Sequence, residues 1–227
     1  DGIGVRPLEG FVSKEVLEKL VQRVRANGGF VSYRSNPDGS ESPYELNITY
    51  LDALKDTSDD EAQLIAKFMA SQAIALSLPG IPAIYIHSLL GSRNWNAGVA
   101  ETNRARTINR EKLRVDIVEE ELRNPCSFRS KVFWPYISLM RIRRRQPAFH
   151  AHAQCKVIEF SPQIFALERS CSDQKILVLT NISSRPAEAS VRDRIKTGSI
   201  DLASGKTIDS DSIILKPYQY LWLCDSG

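Results

Sequence analysis

The sequence predicts an α/β fold in two parts. Helices alternate with short apolar strands up to about residue 150, and a small antiparallel β domain follows over 151–227. Three observations predict it. Residues 13–27 and the stretch from Ser58 toward Pro79 place apolar side chains at helical spacing. Ile81 to Ile86 is a short run that is apolar on both faces, as in a parallel strand covered by helices. After Pro147 come short strand-like runs divided by Pro, Gly, Ser and Asp, the spacing of an all-antiparallel domain. Helix, turn and buried parallel strand is the local grammar of a β/α barrel.

Each element has a local reason. Ser13 is placed to cap a helix whose Val16, Leu17, Leu20, Val21 and Val24 share one face, and Gly28-Gly29 stops it. Phe30 to Tyr33 is a short strand. Ser35 to Pro43 is a loop, because Pro fixes φ, Gly permits positive φ, and Asn, Asp and Ser bond their own backbone. Tyr44, Leu46, Ile48 and Tyr50 alternate as a half-buried strand. Ser58-Asp59-Asp60-Glu61 has the form of a capping box, and the helix it opens runs through Leu64, Ile65, Phe68 and Met69 to Pro79-Gly80. His87 to about Arg114 is a long structureless loop, a length more often functional than decorative. Residues 116–146 form one or two helices, broken near Pro125 and bent near Pro135. The later strands are 156–160, 164–169, 175–181, 188–191, 199–202, 212–215 and 218–224.

Composition narrows the function classes. The chain has 227 residues, 42% hydrophobic and 25% charged, an ordinary globular balance. Its net charge of +3 gives no reason to expect nucleic acid or an anionic membrane as partner. No apolar run approaches the roughly 20 residues that span a bilayer. The 4 cysteines are widely spaced with no CxxC pair, which argues against zinc and for reduced thiols in a cytoplasmic protein. No Gly-rich phosphate loop, zinc signature or nucleophilic Ser/His pair stands out.

Three stretches carry chemistry in combination: Asp1-Gly2-Ile3-Gly4, Leu78-Pro79-Gly80-Ile81-Pro82-Ala83-Ile84-Tyr85, and Thr102-Asn103-Arg104-Ala105-Arg106-Thr107-Ile108-Asn109-Arg110. Singly they are ordinary: an acidic residue in a Gly-rich loop is usually just solvated, and so are arginines in a polar loop. In this order they resemble the last part of the catalytic barrel of the α-amylase superfamily, glycoside hydrolase family thirteen, and within it the sucrose-phosphorylase subfamily. The resemblance covers nearly the whole chain. It implies the C-terminal portion of a (β/α)8 barrel over residues 1–150, then the small β domain. Asp1 would be the carboxylate that binds sugar hydroxyls and steadies an oxocarbenium-like transition state. Arg106 would hold the glucosyl unit at the cleaved bond, and Arg110 would brace the loop. The nucleophile and the acid/base would lie upstream, in a missing N-terminal part of the same barrel.

The same resemblance makes the loop closing on Tyr44-Glu45 the wall of the acceptor site. Sucrose phosphorylase has Tyr-Gln there, so plain sucrose is disfavoured. The Ser42-Pro43-Tyr44-Glu45-Leu46-Asn47 form looks more like relatives acting on glucosylglycerate or sucrose 6'-phosphate, the latter tending to carry His in place of Tyr44. Both acceptors are anionic, and Arg34 and Arg93 are the candidate cations that offset Glu41 and Glu45. His87 follows the apolar run directly; a lone His is usually structural, and its place at a strand end leaves a substrate contact open. Trp95 can add an aromatic wall. The basic run Arg141, Arg143, Arg144 and Arg145 fits the C-terminal end of a helix. The expected reaction is retaining phosphorolysis of an α-glucoside, with inorganic phosphate as co-substrate and no metal or organic cofactor. A homodimer is left open. A hydrolase of the same superfamily and a fragment inactive without its missing half are the competing expectations.

Overall fold

The computed structural model describes residues 2–172 and 174–225. Its strands and helices, in chain order, are β1 (Ile3–Gly4), α1 (Lys14–Ala26), β2 (Phe30–Ser35), β3 (Glu41–Asn47), α2 (Tyr50–Ala53), α3 (Glu61–Ser77), α4 (Ile86–Leu89), α5 (Asn96–Thr102), α6 (Val115–Arg123), α7 (Phe128–Arg144), β4 (Gln154–Val157), β5 (Ile164–Cys171), β6 (Gln174–Asn181), β7 (Ala187–Ser190), β8 (Ser199–Asp201), β9 (Thr207–Ile208), β10 (Ser212–Leu215) and β11 (Tyr220–Cys224). The chain divides into two compact units. The first holds residues up to Asp59 with Ile84–Phe133, the second Asp60–Ala83 with the residues from Trp134 on.

In the first unit β1, β3 and β2 form an antiparallel sheet in the order β1-β3-β2. The Ser13 hydroxyl accepts from the Val16 N–H and so caps α1 as expected. Val21 and Val24 of α1 pack with Val5, Leu46 and Ile48 into the core of this unit. Gly29 is obligatory at the turn out of α1. A Cβ there would stand 2.8 Å from Val24 and 2.9 Å from Ile48. The Pro/Gly/Ser loop is the turn of a hairpin, closed by Asn36 N–H to Ser40 O at 2.7 Å, with Gly39 at φ +80°. The pairing slips once: Ser32 faces Glu45 but Tyr33 faces Pro43, which leaves Tyr44 as the extra residue of a β-bulge.

Three expectations are corrected here. Ile81–Ile86 is not a strand. Residues 81–85 belong to no element, Ile86 opens α4, and Ile81 is 89% exposed. A strand exists only through a ladder partner, and no described strand pairs with this run. The stretch 87–114 is not structureless, because α4, α5 and a 3-10 turn at Ala105–Asn109 lie within it. These elements are too short for an apolar period to show. Finally, the capping box of α3 is two residues later than Ser58/Glu61. Asp60 accepts from Gln63 N–H and Gln63 answers to Asp60 N–H, while Asp59 closes its own turn onto Asp56.

In the second unit α3 buries Leu64, Phe68, Met69, Ala73 and Leu76. A six-stranded sheet, in the order β4-β5-β6-β11-β8-β9, and a β7/β10 pair carry the other core, including Ile164, Leu177, Leu179, Val191, Leu215 and Leu223. Every described ladder in it is antiparallel, and the strands fall within a few residues of their expected places except β9, whose two residues gave no signal. Arginines finish the carbonyl end of α3. Arg143 donates to Leu76 O at 2.7 Å and Gly80 O at 2.8 Å, and the wholly buried Arg169 donates to Ser77 O at 2.7 Å. Cations there complement the negative end of the helix dipole. Among the described residues no helix is long and apolar enough to cross a membrane.

Candidate active site

The two described glycines of the first motif and the arginine of the third converge on one carboxylate. Glu45 lies on β3, its Cα opposite Gly4 of β1. Its Oε2 accepts from Nε of Arg106 at 2.7 Å and from Nη2 at 2.6 Å. A Cβ on Gly2 would fall 2.0 Å from Oε1, so the carboxylate lies directly on the Gly2 backbone. Asp1 lies outside the described residues.

Arg106 is presented by a braced turn. Ile108 is wholly buried and its carbonyl accepts from Trp95 N–H at 2.8 Å. Asn109 is buried and its carbonyl accepts from the Tyr85 hydroxyl at 2.9 Å. Asn103 takes a left-handed φ of 51° to end α5, and the hydroxyls of Thr102 and Thr107 meet at 2.8 Å. Trp95 is pressed against Gly98, where a Cβ would stand 2.2 Å from the ring.

The remaining predicted residues are not gathered on that pair. Tyr44 is the bulge residue, 43% exposed, and its carbonyl accepts from Val5 N–H. Arg34, on β2, donates to Glu9 at 2.6 Å and to Ser42 Oγ at 3.2 Å, on the wall of a cleft of ≈ 740 Å³ with Leu8, Lys14 and Pro43. Arg93 donates to Asp52 at 2.6 Å and lies over the Phe128 ring. His87 is buried in α4, with Nδ1 3.0 Å from Ser92 Oγ. Burial first, and then the charge of Arg129, lowers its pKa below the usual imidazole value, which favours a neutral ring.

One cluster escaped the sequence reading. Asp52 is 4% exposed and receives Arg93 Nε, Asn94 N–H and Thr49 Oγ1. Asn94 in turn holds Asn27 O and Thr49 N–H. Thr49-x-x-Asp52 is a helix-cap spacing that could have flagged it. Among the described residues no group of His, Cys, Asp and Glu could hold a metal ion.

No family model matches the chain. It is 42% identical over 98% of its length to a glucosylglycerate phosphorylase of Spirochaeta thermophila, and 34% identical over 98% to one of Escherichia coli. The chain spans about 40% of the length of these curated relatives. The fold is that of a sucrose 6F-phosphate phosphorylase from Thermoanaerobacter thermosaccharolyticum, with a TM-score of 0.65 at 24% identity over 80% of this chain and 35% of that one. Matched at these identities along almost its whole length, the chain belongs to the sucrose-phosphorylase subfamily of glycoside hydrolase family thirteen.

Proposed function

We propose that this chain supplies the glucosyl-gripping and acceptor-framing part of a retaining α-glucoside phosphorylase acting on glucosylglycerate. The observation that carries the reading is the 42% identity to a glucosylglycerate phosphorylase over 98% of the chain. The convergence of Gly2, Glu45 and Arg106 supports it, because it brings two widely separated motifs of the resemblance to one place. Residues 1–150 read as the last units of the barrel and 151–227 as the β domain, in a cytoplasmic enzyme.

The reaction needs two carboxylates roughly 5–5.5 Å apart. One attacks the anomeric carbon while the other protonates the leaving oxygen, so the glycosidic C–O bond breaks and the acceptor departs with the proton. A phosphate oxygen then displaces the enzyme carboxylate and releases α-glucose 1-phosphate. Neither carboxylate is assigned to this chain, and both are expected in the rest of the barrel. Asp1 would stabilise the developing charge and Arg106 would hold the sugar. No metal or organic cofactor takes part; inorganic phosphate is the co-substrate.

The test is phosphorolysis by the intact enzyme. With phosphate present, glucosylglycerate should yield glucose 1-phosphate faster than sucrose 6'-phosphate, and sucrose should be poor. Phosphate-independent release of free glucose would replace the phosphorylase reading with a hydrolase.

A further inference from the structure

Glu45 was expected to face the acceptor, yet its carboxylate is committed elsewhere. Its side chain is only 15% exposed and sits in the middle strand of the β1-β3-β2 sheet. Both contacts to Arg106 fall on one oxygen, Oε2, and come from Nε and Nη2. A guanidinium has two edges suited to paired donation. Glu45 occupies the Nε/Nη2 edge, which leaves the edge formed by Nη1 and the second Nη2 hydrogen clear of this carboxylate. Arg106 remains 54% exposed, on a turn pinned by buried Ile108 and Asn109. The base of the arginine is therefore fixed, one edge is clamped, and the other is presented.

Gly2 completes the device. The carboxylate can lie on the backbone at position 2 only because no Cβ is there; any side chain would overlap Oε1. Glu45 thus ties the start of the Asp1-Gly2 stretch to the arginine of the third motif, across a separation of 61 residues between Glu45 and Arg106.

We propose that Glu45 is a positioning residue of the glucosyl subsite: it clamps Arg106 by one edge so that the other edge meets the sugar hydroxyls, and Gly2 is the clearance this clamp requires. The inference rests on the reading of the chain as part of an α-glucoside phosphorylase. Glu45 acts through Arg106 and touches neither acceptor nor reacting atoms. A glutamine at 45 keeps the size but loses the charge-assisted bonds that hold the fork in one orientation.

The test uses the intact enzyme, with Glu45→Gln, Arg106→Lys, the double variant, Gly2→Ala, Glu45→Ala and Gly2→Ala/Glu45→Ala. Misplacing the guanidinium should lower kcat/KM by on the order of 10–100-fold in Glu45→Gln. The same change should cost almost nothing further in the Arg106→Lys background, a coupling that a purely structural role would not produce. Gly2→Ala should be costly alone and nearly silent beside Glu45→Ala. The loss in Glu45→Gln should be equal for glucosylglycerate and sucrose 6'-phosphate, because the glucosyl unit is common to both. Additive losses, a wild-type Glu45→Gln, or a loss that depends on the acceptor would each overturn the proposal while leaving the phosphorylase reading intact. If the wild type releases no glucose 1-phosphate, that reading fails. Calorimetric binding of α-glucose then decides the clamp: weaker binding by a similar factor in Glu45→Gln upholds it, and equal or undetectable binding overturns it.

Discussion

Arg93 donates through Nε to Asp52 Oδ1 at 2.6 Å, and the backbone N–H of Asn94 donates to Oδ2 of the same carboxylate at 2.7 Å. Two consecutive residues thus donate to both oxygens of a side chain that is almost fully buried. The arrangement fixes residues 93 and 94 just before Trp95, whose N–H donates to Ile108 O of the Arg106 turn.

The two partners are unequal, and stability should show it. Asp52→Ala leaves the Asn94 N–H short of an acceptor, at a cost of about 1–3 kcal/mol, whereas the Thr49 hydroxyl keeps Asn94 Oδ1. Arg93→Ala removes a side chain that is 46% exposed and should cost about 1 kcal/mol or less. Urea denaturation of the intact enzyme orders the two, and a larger loss for Arg93→Ala would refute the account of this cluster.

His87 should give the fold a pH dependence. Its folded pKa is depressed by burial, so the unfolded chain takes up a proton before the folded one does. Its contribution is fully present above the unfolded value of about 6.5 and is lost as pH falls toward the lower folded value. Melting temperatures across that window should slope less in His87→Gln than in wild type. An unchanged slope means that the ring is solvated or already charged.

Asp1 carries the transition-state role in the proposed reaction. Asp1→Asn in the intact enzyme keeps size and removes charge, so kcat should fall by roughly 10²–10³ with little change in substrate binding. Residues 1–227 by themselves should release no glucose 1-phosphate above an Asp1→Asn control. Turnover by the chain alone would show that the catalytic pair lies within it.

Arg34 tests the acceptor. It borders the cleft above α1 and is shared with Glu9 and Ser42. If it meets the acceptor anion, Arg34→Ala should slow phosphorolysis of glucosylglycerate and sucrose 6'-phosphate far more than that of sucrose. Equal losses on charged and neutral substrates would remove Arg34 from the acceptor site.

Much of this architecture was legible because it is local. Ser13 and the Val21/Val24 stripe announced α1, and the Pro, Gly and Ser punctuation announced the later strands. Pro125 announced the break between α6 and α7. What stayed hidden depends on partners far along the chain. Whether Ile81–Ile86 pairs as a strand depends on neighbours that its own residues cannot specify. The cap of α3 was a local miss, because Asp60 with Gln63 closes the box two residues after the overlapping Ser58/Glu61 spacing. The site divides the same way. Arg106 and Glu45 could each be named from its own motif, but their contact, and the reason for Gly2, join positions 61 and 43 residues apart. Asp52 was overlooked for the same reason in part, two of its three donors lying 41 and 42 residues downstream.

Arg169 has a consequence for how the chain is made. It completes the last turn of α3 by reaching the carbonyl of Ser77, 92 residues earlier. A ribosome adding about 5–20 residues per second needs roughly 5–20 s to bridge that gap. Throughout that interval the helix is synthesised but its end is hydrated, and its apolar stripe has no strand to lie on. The second unit therefore cannot close during translation of its first segment, and slower decoding between Ser77 and Arg169 lengthens the time its apolar stripe stays uncovered.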